Sequence, residues 1–154
     1  MKYNKAIFRA GILVGMLLIT PFCYGETSSD KTSIKEVKKE TQDLLQTLNA
    51  YTVEQKDEAV SKTKVALDDL DKRIDALGKD IDKSWDSMDE AAREKARASL
   101  KELRKMQAQV AEKYSSMKNS TADAWKNMKK GFLDAYTDLT DAWEKSEKEF
   151  GSDH

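Results

Sequence analysis

Histidine, cysteine and proline each occur once in this 154-residue chain, as His154, Cys23 and Pro21. With one histidine at the very end, no Ser-His-Asp or Cys-His set can be assembled, nor a zinc site built on imidazoles. A lone cysteine excludes a disulfide framework and a thiolate metal site. No proline follows residue 21, and after Gly25 the glycines are limited to Gly78, Gly131 and Gly151, so little interrupts a helix over most of the chain. Charge of one sign is missing too. The 27 Lys and Arg are balanced by 28 Asp and Glu and interspersed with them, which argues against non-specific nucleic-acid binding.

The first residues read as a leader. Lys2, Lys5 and Arg9 precede an apolar run from Ala10 to Ile19, Pro21 breaks it, and Cys23-Tyr24-Gly25 offers small residues three before and one before a cut after Gly25. The run is shorter than the roughly 20 residues a spanning helix needs. A cleaved signal peptide over 1–25 is therefore expected, with export to the periplasm or beyond. The alternatives are an uncleaved anchor and a lipoprotein acylated on Cys23, which Phe22 immediately before the cysteine disfavours. The remaining 129 residues, 26–154, carry 24 cationic and 28 anionic side chains, a net charge of −4. They suffice for a single domain.

What is abundant is Ala, Lys, Glu, Asp and Leu at helical spacing. Ser33 with Glu36 forms a capping box before Ile34, Val37, Thr41, Leu44, Leu48 and Tyr51, an a/d seam. Thr52 with Gln55 forms a second box. From there Leu67, Leu70, Ile74, Leu77 and Ile81 continue through Trp85 and Met88, weaken over Ala91, Ala92 and Ala96, and resume at Leu100, Leu103, Met106, Val110 and Tyr114. Asn119-Ser120-Thr121 starts a last helix bearing Trp125, Met128, Phe132, Tyr136, Leu139, Trp143 and Phe150, all within an arc of about 80°. The expected fold is all-α: an elongated antiparallel coiled-coil hairpin or a slim bundle of two to four long helices. The expected spans are 33–50, 52–117 and 121–150, with a turn near Ser87–Glu90 as the alternative to one helix over 52–117. Acid-then-base pairs four apart (Glu58/Lys62, Asp68/Lys72, Asp69/Arg73, Asp75/Lys79 and Asp89/Arg93) mark the solvated face.

Chemistry is hard to build from these residues. Asp68, Asp71 and Asp75 share one helix face, but acidic helix surfaces do this routinely and no apolar pocket is evident to shift a pKa. Asp80-Ile81-Asp82-Lys83-Ser84 begins like a calcium loop, yet Trp85 stands where glycine is required. No catalytic residue, cofactor, metal or small-molecule substrate is expected. The aromatic stripe of the last helix is the most specific feature. Its plain reading is buried core. Its sharper one is an interaction face for membranes or apolar clients, formed by Trp125, Met128, Phe132, Tyr136, Leu139, Trp143 and Phe150. The opposite face mixes Lys126, Lys129 and Lys130 with Asp134, Asp138, Asp141 and Glu144, unlike the basic face of a membrane-lying helix.

Tyr51-Thr52-Val53-Glu54-Gln55-Lys56, and Ala124-Trp125-Lys126-Asn127-Met128-Lys129-Lys130-Gly131-Phe132 followed by Asp141-Ala142-Trp143-Glu144-Lys145, resemble a bacterial family of small coiled-coil proteins labelled stress-response or coiled-coil domain-containing. The resemblance covers roughly 41–150. It implies an all-helical fold, no enzyme activity and an association with stress, and it brings no active residues; the leader is not part of the pattern. The expected role is a non-enzymatic coiled-coil protein of the cell envelope that associates with itself or with a helical partner. An apolipoprotein-like membrane binder or a chaperone-like binder using the stripe is the alternative.

Overall fold

Each apolar seam becomes the inner face of a helix in the computed structural model, which describes residues 34–151. The order is α1 (Ile34–Ala50), α2 (Lys56–Ser84), α3 (Glu90–Lys118) and α4 (Trp125–Phe150). There is no strand among the described residues. The leader with its cut after Gly25, Cys23, the Ser33 cap and His154 lie outside them. At 1.5 Å per residue, the 29 residues of α2 or α3 run about 43 Å.

Short connections force neighbouring helices antiparallel, and the side-chain pairs follow that register. Lys38 on α1 meets Glu144 on α4, and Lys129 on α4 reaches Asn49 at the far end of α1. Asp75 on α2 meets Arg104 on α3, and Asp71 meets Gln107. Lys95 near the start of α3 pairs with Glu149 near the end of α4. The result is an up-down-up-down four-helix bundle in which α4 packs against all three other helices.

The span 52–117 is not one helix. It opens with a 3₁₀ turn over Val53–Gln55 and breaks at a second over Trp85–Ser87. The break is built from side chains. Met88 is extended, and the Asp89 carboxylate accepts the Ala92 N–H at 2.8 Å, an N-cap that starts α3. Behind it, the Arg93 Nε donates to the Trp85 carbonyl at 2.9 Å, a second donor to an oxygen that also accepts the Met88 N–H. Arg93 and Arg97 both stack on the Trp85 ring, at 5.5 and 4.5 Å from its centre. The turn thus falls within the expected Ser87–Glu90 stretch with Asp89 as its cap, while the Ser87 hydroxyl donates backwards to the Ser84 carbonyl. At the second box, the Thr52 N–H donates to the Gln55 side chain as expected. The last helix begins at Trp125 rather than 121, because Thr121 caps a preliminary turn. Its hydroxyl accepts from the Ala124 N–H, and its carbonyl from the Trp125 N–H.

The core runs the length of the bundle. α1 contributes Val37, Leu44 and Leu48; α2 contributes Ala59, Leu70, Ile74, Leu77 and Ile81; α3 contributes Ala96, Leu103, Val110 and Met117. The α3 set repeats strictly every seven residues, the spacing of a left-handed packing seam. Where the seam weakens over the alanines, Ala96 is wholly buried, Ala92 half-buried and Ala91 exposed, so Ala96 alone carries the core there. Of the acid–base pairs expected along single helices, Glu58–Lys62 forms at 3.1 Å. Others turn to neighbouring helices: Arg73 to Glu40 and Asp75 to Arg104, both at 2.6 Å. Asp68 pairs with Lys64 of its own helix, and Asp71 accepts from Gln107 of α3.

Candidate functional site

The stripe of α4 is buried. Trp125, Phe132, Tyr136, Leu139, Trp143 and Phe150 all lie in the core, with Phe132 fully covered, while Met128 stays 37 % exposed. Phe132 stacks edge-on against Tyr114 of α3 at 6.5 Å and lies 5.7 Å from the Tyr136 ring. Sequence periodicity missed Lys129, Leu133, Thr140, Glu144 and Ser146, which are buried as well. With them the buried arc of α4 widens to about 160° at 100° per residue. Most of the additions lie on one flank, the side covered by α1.

Two of those additions are charged, and both fasten α1. The Lys129 ammonium donates to the carbonyls of Tyr51 at 2.8 Å and Asn49 at 3.3 Å, which closes the C-terminal end of α1. Burial, helped by the nearby Lys126, holds its pKa below the usual lysine range. Glu144 accepts from Lys148 at 2.5 Å and from Lys38 of α1 at 3.0 Å, and these hydrogen bonds hold its carboxyl below the usual range. The lysines themselves form its cover, so solvent screens the pair despite its small exposed area. Two indole N–H groups, of Trp125 and Trp143, are buried without a hydrogen-bond partner among the described residues. They sit eighteen residues apart, five full helical turns, and therefore at the same azimuth of α4.

A groove of about 320 Å³ remains between α1 and α2. α1 borders it with Glu40, Asp43, Leu44 and Thr47, and α2 with Lys62, Val65, Ala66, Asp69 and Arg73. Tyr136 of α4 closes its floor. Val65, 61 % exposed, is the most exposed large apolar side chain of the described residues. Burial pushes the Tyr136 hydroxyl up to about 12, opposed by the Arg73 guanidinium and reinforced by Glu40 and Asp69. Around the rim Arg73 pairs with Glu40, Lys72 with Asp69, and Lys62 with Glu58 and the Tyr51 hydroxyl. Asp43 has no ion-pair partner among the described residues. Periodicity along single helices does not reveal this groove, because it depends on how α1 and α2 are spaced over α4.

Among the described residues no cluster of three His, Cys, Asp or Glu side chains is placed to hold a metal ion, and no helix is long and apolar enough to cross a membrane. No protein-family model, curated protein or solved structure matches the chain.

Proposed function

We propose that this chain is an exported, non-enzymatic helical protein of the cell envelope that works by helix–helix association with another protein, in a stress setting. The stress setting rests on the resemblance of the Tyr51–Lys56 and Ala124–Phe132 tracts alone, and export rests on the leader pattern of residues 1–25. One observation carries the association. The bundle hides its seams within one chain, yet leaves a groove between α1 and α2 in which Val65 stands exposed beside Ala66 and Leu44, and clefts between the helices of a bundle are preferred binding sites. Self-association through the seams would require the bundle to open first.

The test is photo-cross-linking in intact cells, with the cross-linker placed at Val65, or at Glu102 or Glu112 on the outer side of α3. Discrete adducts in the envelope fraction are expected. Adducts from no position, or a protein confined to the cytosolic fraction, would remove the reading.

A second reading, the lipid- or client-binding one, draws on the unpartnered indoles. Leaving a buried donor unpaired costs about 1–3 kcal/mol, and indoles are favoured at a lipid interface where the N–H meets water and headgroups. Opening the bundle there would relieve both. Tryptophan emission that stays blue and unchanged on adding anionic vesicles would exclude it.

A further inference from the structure

We propose that the α1–α2 groove seats an amphipathic helix of the partner, with apolar side chains on Leu44, Val65 and Ala66 and a lysine or arginine on Asp43. This rests on the interaction reading above and names the chemistry of its partner.

The shape of the groove selects a helix. Its α1 edge is set by Glu40, Asp43, Leu44 and Thr47, and its α2 edge by Lys62, Val65, Ala66, Asp69 and Arg73. Both follow spacings of three and four, so the groove runs between two helical ridges for two to three turns, about 10–16 Å. A third helix packs into such a trough by ridges-into-grooves contact. The Glu40–Arg73 pair closes one end of the trough, so a helix seats along the remaining stretch, from Asp43 to Thr47 on one edge and from Lys62 to Asp69 on the other.

Charge selects the sign. The groove's borders hold three carboxylates (Glu40, Asp43 and Asp69) and two cations (Lys62 and Arg73). Four of these five are already engaged: Glu40 with Arg73, Asp69 with Lys72, and Lys62 with Glu58. Asp43 alone is left, one helical step from Leu44 on the same edge. A cation flanked by apolar residues satisfies both features, whereas an acidic helix would meet a net negative rim. A phenol kept protonated to about pH 12 adds a neutral hydroxyl to the floor at every physiological pH.

The experiment titrates the isotope-labelled protein with an 18-residue helical peptide of leucine and lysine, and in parallel with its leucine–glutamate counterpart, following amide and methyl shifts. Saturable changes confined to Leu44, Val65, Ala66 and their neighbours are expected from the basic peptide only. Val65→Glu should weaken binding about tenfold or more while keeping the dispersed spectrum of the folded bundle, since the side chain it replaces is exposed. Asp43→Asn should weaken it by about two- to fivefold at low salt, as expected for an exposed ion pair. Changes spread over all faces, equal response to the acidic peptide, or indifference to Val65→Glu would overturn the proposal. Dodecyltrimethylammonium, kept below its micelle concentration, is the third probe. If it saturates the groove and the peptide does not, the groove serves small cationic amphiphiles and the helix assignment fails. If the groove fails while cells still yield cross-links from α3, the assignment falls and the interaction reading stands.

Discussion

At the scale of single residues, neighbours decide what a side chain does. Phe132 and Met128 sit four apart on the same helix, and their type and spacing mark both as core. Only Phe132 is covered on all sides; Met128 projects past the edge of the packed face. Phe132→Ala should therefore cost about 3–5 kcal/mol, the range for emptying an aromatic core site, and Met128→Ala no more than about 0.5 kcal/mol. Urea melts of the two variants check this, and equal losses would mean that the azimuth of α4 is wrong. Tyr136 offers a titration. Its folded pKa of about 12 lies above the ordinary tyrosine value of 10 because its hydroxyl is buried. A raised folded pKa means that the folded state holds the proton more tightly. The resulting stability is complete below pH 10 and disappears as pH rises toward 12, at most about 3 kcal/mol at 1.36 kcal/mol per unit. Tyr136→Phe should abolish the highest-pH component of the tyrosinate absorbance. It should also flatten the loss of stability between pH 10 and 12 relative to wild type. A wild-type titration without that late component would contradict the burial.

At the scale of elements, what was legible in the sequence was local. The seams of α1, α2 and α3 and the cap at Thr52–Gln55 can be read directly, because periodicity and capping depend on residues within a turn or two. Breaks were less legible. The α2–α3 corner relies on Asp89 for its cap and on Arg93 folding back to the Trp85 carbonyl, and that second contact exists only once the chain has turned. Asp89→Ala should thus cost about 1 kcal/mol and fray the first turn of α3 selectively, as seen in amide exchange at Ala91 and Ala92. The glycines are tolerated inside helices. Gly78 lies inside α2, where an added methyl would meet only Leu100 at an ordinary 3.8 Å. Gly131 lies inside α4 with open space around it. Neither site uses the freedom of glycine, so Gly78→Ala and Gly131→Ala should each raise stability, by up to about 1 kcal/mol. A drop in melting temperature for either would mean that the helices flex there. The α1–α2 groove was the part of the candidate site that could not be read. Its walls are ordinary amphipathic helices, and only their spacing against α4 makes it.

At the scale of the whole bundle, the four helices are not held alike. α3 and α4 zip together along most of their length, whereas α1 has 17 residues and approaches α2 only across the groove. Besides the Glu40–Arg73 pair on the rim of the groove, its polar ties run to α4, through the Lys38–Glu144 pair and the Lys129 ammonium on the carbonyls of Asn49 and Tyr51. Local opening follows the fewest buried contacts, so α1 should be the first helix to leave. Native-state hydrogen exchange should show amides of Leu44 and Leu48 opening at lower free energy than those of Leu103, Val110 and Leu139. Lys129→Met keeps the aliphatic stem but leaves two carbonyls unpaired, at a cost of about 1–3 kcal/mol, slightly offset because the buried ammonium no longer needs desolvation. If α1 opens on its own, that loss lowers protection in α1 and leaves α3 unchanged. Uniform loss across all four helices would mean that the bundle opens only as a whole. A partner helix in the groove would then have to bind without displacing α1, as a fifth helix laid on a rigid surface.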